Sequence, residues 1–311
     1  MTSPRRQIGE SLTVGGYKAG SLLAKLVPSP LAPLVSGGLA APAALGMSER
    51  RRLVERHIRR AVPEASNARI RRMVLQSFET YTRYYLESFR LPGLTDLQVD
   101  DGMTLVGFEE NLMSALERGK GAILALPHLG GWEWAGRWLA SRGVAVTVVV
   151  EPLDPPELFE WFADLRRGFG LNVVPLGPEA ASEVAAALGR NDIVCLLSDR
   201  FISGSAVAVE FFGETTLLPA GPAMLSIRTG APLVPAAVYF EGRGSDHLGI
   251  VRPAVRHERS GTRLREEVRL LTAKLAGELE ILIRRAPEQW HLFQPNWPSD
   301  PGYPHRLEDH R

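Results

Sequence analysis

A single cysteine, Cys195, among 311 residues rules out an intramolecular disulfide framework and points to a reducing compartment. It sits inside the apolar run Ile193–Leu197, the setting of a small core thiol rather than of a nucleophile. With no second cysteine and no histidine-rich tract, a ligand set for structural zinc is missing, and no metal is expected. Net charge is missing too. Lys and Arg number 36 against 35 Asp and Glu, which leaves +1 and no global basic field calling for nucleic acid. A Gly-x-Ser-x-Gly elbow is absent, so no serine is presented for acyl-enzyme chemistry. Internal repeats are absent as well.

Long uncharged runs are scarce. Only Leu26–Met47 runs far enough without charge to cross a bilayer, and it contains Pro28, Pro30, Pro33, Pro42 and the pair Gly37-Gly38. Each interior proline costs a helix about 3 kcal/mol, which argues against one straight spanning helix. The stretch also lacks the compact apolar region and cleavage pattern of a signal peptide. Broken helices lying on a membrane, with Lys18 and Lys25 at the headgroups, are the expectation; core packing and a spanning or processed segment are the competing readings. Beside this stretch lie nine arginines (50, 51, 52, 56, 59, 60, 69, 71 and 72) against Glu55 and Glu64. Such a cluster suits an anionic membrane surface or the phosphates of a nucleotide-bearing donor, and equally a solvated helix face.

From residue 100 onward strands and helices alternate. Apolar runs at Gly121–Leu126, Val144–Val150, Leu171–Leu176, Asp192–Leu197 and Leu233–Tyr239 read as strands, with a further strand around His247–Val251. Helical patterns fall at Trp132–Ser141, Pro156–Arg167, Ala180–Leu188, Gly221–Thr229 and Arg263–Arg285, and before them at 49–62 and 67–90. Strands apolar on both faces and alternating with helices predict an α/β fold, a mostly parallel central sheet flanked by helices. Residues 49–311 read as one such domain, and 1–48 as a helical, membrane-associating segment.

The segment that carries chemistry is Ala122-Ile-Leu-Ala-Leu-Pro-His128-Leu-Gly-Gly-Trp-Glu133. It places His128 just past the C-terminal end of a buried strand, where open α/β sheets bind ligands. Gly130 and Gly131 permit a tight turn, and Glu133 falls in the first turn of the next helix. Across that turn the Glu133 carboxylate is expected to reach the second imidazole nitrogen, fixing its tautomer and stabilising the imidazolium. The unpaired N–H groups of the helix start suit a developing oxyanion. A core histidine or a metal ligand is the competing reading.

The same segment resembles the His-x4-Asp/Glu motif of glycerolipid-type acyltransferases, and especially of the bacterial lipid A late acyltransferase superfamily. Phe89-Arg90-Leu91-Pro92, Phe211-Phe212-Gly213-Glu214 followed by Pro219-Ala220-Gly221-Pro222, and Gly230-Ala231-Pro232-Leu233-Val234-Pro235 agree with it in order. The ending Trp290-His291-Leu292-Phe293-Gln294-Pro295-Asn296-Trp297 is more like the actinobacterial branch, the phosphatidylinositol mannoside acyltransferases. Membership implies transfer of a long-chain acyl group, palmitoyl in that branch, from acyl-CoA to a mannose hydroxyl of a glycophospholipid. It implies His128 and Glu133 as the catalytic pair, with Glu133 longer by a methylene than the branch's usual Asp. Glu151, Arg166, Asp199 and Arg200 match polar site residues of the branch and are expected to bind the acceptor, Asp199 standing where the branch tends to have Glu. Trp132, Phe211, Phe212, Gly213 and Pro219 are expected to border the acyl channel, although aromatics at such spacing are also ordinary core. No cofactor is implied beyond acyl-CoA as substrate, and the expected location is the cytoplasmic face of the cell membrane, peripheral or monotopic. Another lipid acceptor such as lysophosphatidic acid, a non-catalytic lipid-binding homologue, and a thioesterase are the alternatives.

Overall fold

The computed structural model describes residues 4–27, 31–242, 244–257 and 263–307. Four helices come first: α1 (Pro4–Leu26), α2 (Ala32–Gly46), α3 (Ser48–Ala61) and α4 (Asn67–Arg90). Helix α4 starts where the Ser66 hydroxyl accepts the Arg69 N–H and ends at the turn Leu91–Gly93. After the short α5 (Asp96–Asp101) come strand β1 (Met103–Val106), a π-helical turn (Phe108–Met113) and the single-turn α6 (Ser114–Leu116). The alternating region then runs β2 (Ala122–Leu126), α7 (Trp132–Ser141), β3 (Val146–Val150), α8 (Pro156–Gly168), β4 (Asn172–Pro175), α9 (Ala180–Gly189) and β5 (Ile193–Leu197). It closes with β6 (Ala206–Phe211), β7 (Glu214–Pro219), α10 (Gly221–Thr229), β8 (Leu233–Glu241), β9 (Asp246–Val251) and α11 (Leu264–Arg285).

The seven-stranded sheet has the order β1-β9-β8-β2-β5-β3-β4. Strands β8, β2, β5, β3 and β4 are mutually parallel, whereas β9 returns antiparallel to β8. Strand β2 is central, with Leu124 facing Cys195 on one side and Val234 on the other. Because successive side chains point to opposite faces, β2 splits its residues between two cores. Ile123 and Ala125 pack with α9, α10 and α11, while Ala122, Leu124 and Leu126 pack with Trp134, Trp138 and Leu139 of α7. The result is the expected α/β fold with a mostly parallel sheet covered on both faces. Strand β1 and the separate hairpin β6–β7 are additions that the apolar pattern did not announce.

The N-terminal helices differ in detail from expectation. Helix α2 continues through Pro42 without a break. A proline near the C-terminal end removes a single backbone bond there, and Pro33 falls in the first turn, where no N–H partner is needed. Pro28 and Pro30 lie outside the described residues. Among the described residues no helix is long and apolar enough to cross a membrane. Ala40 and Ala44 of α2 are buried with Ile70, Met73, Val74 and Phe78, whereas Leu34, Leu39 and Leu45 of the same helix are exposed. Leu22, Leu23 and Leu26 of α1 are exposed likewise. These helices bury alanines and present leucines, the reverse of a helix docked on a core.

Within the arginine cluster, Arg59 pairs with Glu55 on the surface and Arg51 is half-buried. Arg60, largely buried, and the half-exposed Arg56 donate to Asp300 Oδ1 at 3.1 and 3.2 Å. Arg50, Arg52, Arg69, Arg71 and Arg72 are exposed, on the helices that adjoin the leucine-bearing surface.

Candidate active site

His128 stands in the loop between β2 and α7, at the C-terminal edge of the parallel strands. The loop is fixed by backbone bonds: Gly130 N–H to the Gln289 carbonyl at 2.9 Å, and Gly131 N–H to the Val238 carbonyl at 3.0 Å. Gly130 has φ +61°, and a Cβ there would collide with the Val238 carbonyl oxygen. Only glycine fits this turn.

The imidazole partner of His128 is Asp199. Nδ1 of His128 lies 2.7 Å from Oδ1 of Asp199, and the His128 backbone N–H donates to Oδ2 at 3.1 Å. Asp199 follows β5, the neighbour of β2, so two adjoining strand ends bring the pair together. Its carboxylate is fully buried. Burial alone would push the Asp199 carboxyl up, but the His128 charge and hydrogen bond and the Trp290 indole hold it below the usual carboxylate range. A carboxylate on Nδ1 fixes that nitrogen as the donor and leaves Nε2 as the basic one. The His128 side chain keeps 20% of its surface exposed and lines the cavity described below, so a hydroxyl can approach it.

Glu133 is not the imidazole's partner, which corrects the expectation from the motif. Its carboxylate accepts from the Arg166 guanidinium, at 2.5 Å from Nη2 and 3.0 Å from Nε, and from the Tyr84 hydroxyl at 3.0 Å. The first turn of α7 directs Glu133 toward α8 and α4. Burial would lower the Arg166 pKa, but the Glu133 charge raises it further still. Burial and the same carboxylate raise the Tyr84 phenol well above its ordinary value. All three side chains are largely buried, so the Glu133–Arg166 pair keeps the charges of both partners satisfied inside the protein.

The remaining expected residues separate by place. Glu151 and Arg200 pair at 3.2 Å on the cavity rim, where Glu151 is the more exposed partner. Arg166 lines the cavity but is committed to Glu133, and Asp199 is too deeply buried to touch an acceptor. Trp132 lines the cavity, with its ring 4.3 Å from Tyr84 and 6.0 Å from His128. Phe211, Phe212, Gly213 and Pro219 do not border it. They belong to the β6–β7 hairpin, whose Phe211 and Phe212 pack with Ile123 and Ala125 on the opposite face of the sheet. Phe211 stacks on Trp297 at 5.8 Å.

The cavity itself holds about 320 Å³ and runs under α7 along the sheet. Leu124, Leu126, Val148, Cys195, Leu197 and Ala236 form its floor, and Trp138, Leu139, Phe108 and Met103 lie among its lining residues. His128, Glu151, Arg200, Tyr17 and Tyr85 also line it. That volume falls in the range of small-molecule sites, and the lining is apolar with a few polar groups. Burial, helped by the Glu133 charge, pushes the Cys195 thiol up to about 12, so it stays protonated and unreactive. Among the described residues no group of histidine, cysteine, aspartate and glutamate side chains is placed to hold a metal.

Residues 7–299 match the family of bacterial lipid A biosynthesis acyltransferases. The chain belongs to this family. A phosphatidylinositol mannoside acyltransferase of Mycolicibacterium smegmatis is 36% identical over 303 residues, covering 96% of this chain and 95% of that one. Its counterpart in Mycobacterium tuberculosis is 39% identical over 232 residues, covering 73% of this chain and 71% of its own. As a member of the family the protein is an acyltransferase.

Four contacts of this acyltransferase's site went unread in the sequence. The Trp290 indole donates to Asp199 Oδ2 at 2.7 Å and the Asn296 amide to the Asp199 carbonyl at 3.0 Å. His291 N–H donates to the His128 carbonyl at 2.7 Å, and Tyr84 reaches Glu133. The block Trp290–Trp297 stood out by its composition, but nothing in the chain's order says that it reaches the strand ends.

Proposed function

We propose that the protein is an acyl-CoA-dependent O-acyltransferase that moves a long-chain acyl group onto a mannose hydroxyl of a phosphatidylinositol mannoside-type glycolipid. The observation that carries this reading is His128, backed by the buried Asp199 carboxylate, opening onto an apolar cavity. His128 Nε2 takes the proton of the acceptor hydroxyl as its oxygen attacks the thioester carbonyl. Asp199 stabilises the imidazolium so formed. The C–S bond then breaks, and the imidazolium proton is available to the leaving CoA thiolate. N–H groups of the first turn of α7, which opens at Trp132, are suited to the developing oxyanion. Direct transfer is favoured because Cys195 is held protonated inside the sheet.

The apolar cavity suits the acyl chain, palmitoyl being the chain implied by the resemblance. Glu151 and Arg200, on the rim, are the groups suited to an acceptor: a carboxylate accepts from sugar hydroxyls, and a guanidinium donates to a phosphodiester. Glu133 and Arg166 lie deeper and serve to set α7 against α8. The exposed leucines of α1 and α2, beside Arg50, Arg52, Arg69, Arg71 and Arg72, favour peripheral binding to an anionic membrane. Residues 1–48 would thus lie at the interface and deliver the lipid acceptor to the domain behind them, at the cytoplasmic face.

The test is incubation of the purified protein with radiolabelled palmitoyl-CoA and liposomes containing a phosphatidylinositol mannoside. Labelled glycolipid supports the reading. Free palmitate alone would make the protein a thioesterase, and neither product a lipid-binding homologue. A product on lysophosphatidic acid alone would keep the chemistry and change the acceptor.

A further inference from the structure

Among the described residues the segment after α11 adds no strand to the main sheet, yet it touches both members of the His128–Asp199 pair. His291 N–H donates to the His128 carbonyl, the Asn296 amide to the Asp199 carbonyl, and the Trp290 indole to Asp199 Oδ2. We propose that Trp290 is a positioning residue: its indole N–H holds Asp199 Oδ2 and so keeps Oδ1 on His128 Nδ1. The proposal rests on the reading of His128 as the base.

A buried tryptophan is ordinarily explained by its area, and Trp290 is well packed. Its ring lies 5.5 Å from Phe212, 5.8 Å from His57 and 6.1 Å from Trp297. Packing fixes the ring, but a phenyl ring would serve that purpose. An indole carries a donor at this edge where a phenyl ring has none, and the donor meets the carboxylate that holds His128. Asp199 is fully buried, so no solvent stands ready to replace a lost donor. Its Oδ2 has two donors, the indole at 2.7 Å and the His128 backbone at 3.1 Å, and Oδ1 has the imidazole. Without the indole the longer backbone bond is what remains on Oδ2, and the carboxylate is held less firmly against turning about Cβ–Cγ.

The segment is itself anchored. Oδ2 of Asp300 accepts the backbone N–H groups of Asn296 and Trp297 at 3.0 and 3.1 Å and faces His57 Nε2 at 3.0 Å. The other nitrogen of His57 faces the Leu292 carbonyl at 3.0 Å. Helix α3 thereby holds the segment that presents Trp290, and the position of the indole is set from outside the sheet.

The test is a double-mutant cycle with Trp290→Phe and Asp199→Asn, assayed by thiol release from palmitoyl-CoA in the presence of a phosphatidylinositol mannoside. A hydrogen bond to a charged group predicts that Trp290→Phe lowers kcat about tenfold to a hundredfold. KM for palmitoyl-CoA should stay within about twofold. In the Asp199→Asn background the same change should cost less than about threefold, because its target is already gone. Equal losses in the two backgrounds, or a loss carried by KM, would overturn the proposal. An independent readout is the indole ¹⁵N–¹H spectrum. Among the described residues Trp290 is the indole that donates to Asp199, so one indole signal should move on Asp199→Asn. No movement would overturn the proposal even where Trp290→Phe fails to fold. Were His128→Ala to keep turnover, the base reading would fail, and the spectrum would still decide whether Trp290 holds Asp199.

Discussion

Arg166 and Glu133 meet at 2.5 Å between α8 and α7, with side chains that keep 15% and 6% of their surface exposed. Removing one member of such a pair strands the other in a poorly solvated place. Glu133→Gln and Arg166→Met should each destabilise the fold by about 3–5 kcal/mol. The double variant should cost clearly less than the sum, which urea unfolding of all four proteins checks. Additive losses would mean that the pair is not a unit.

His291 is buried beside His128, with Nε2 3.2 Å from the Thr80 hydroxyl. Burial, and then the His128 ring, lower its pKa to about 3. The unfolded chain, with an ordinary histidine near 6.5, takes up a proton that the folded protein refuses. The stabilisation is therefore complete above about pH 6.5 and is lost progressively as pH falls toward about 3. Between pH 7 and pH 5 this one residue should account for about 2 kcal/mol of lost stability. Urea unfolding at the two pH values, for wild type and His291→Phe, should show the variant's loss to be smaller by that amount. An identical fall in both proteins would contradict the buried, neutral imidazole.

Exposed leucines on α1 and α2 predict membrane binding that depends on them. Changing Leu23, Leu26, Leu34 and Leu45 to Ser should weaken co-sedimentation with anionic liposomes by tenfold or more, since each buried leucine contributes about 1.5–3 kcal/mol. Cleavage of a soluble short-chain acyl-CoA should be little changed. Unchanged co-sedimentation at low salt would assign those leucines to some other contact.

The sheet was legible because its strands are continuous apolar runs, as at Ile193–Leu197, and because glycines and prolines separate them from the helices. Strand β1 was not, since Met103–Val106 is only four residues long and alternates between half-buried and exposed positions. At the site, His128 was legible from the strand, turn and helix around it. Its partner was not. Five residues of separation made Glu133 the near choice, but the turn of α7 carries that side chain to Arg166, and strand order alone brings Asp199 to the imidazole. Phe211 and Phe212 were misplaced for a similar reason: sequence places aromatics near a site but does not say which face of the sheet they cover. Asp199, read from resemblance as an acceptor ligand, is fully buried, and among the described residues its hydrogen bonds run to His128, Trp290 and Asn296. Its loss should therefore lower hydrolysis and transfer together, whereas Glu151→Ala should spare hydrolysis.

The base assignment is tested most directly by His128→Ala, assayed for transfer of radiolabelled palmitate from palmitoyl-CoA to a phosphatidylinositol mannoside, with folding followed by thermal unfolding. Loss of a general base should lower turnover by about 10²–10⁴-fold while the unfolding midpoint stays close to that of the wild type. Near-normal transfer by a correctly folded His128→Ala protein would contradict the mechanism.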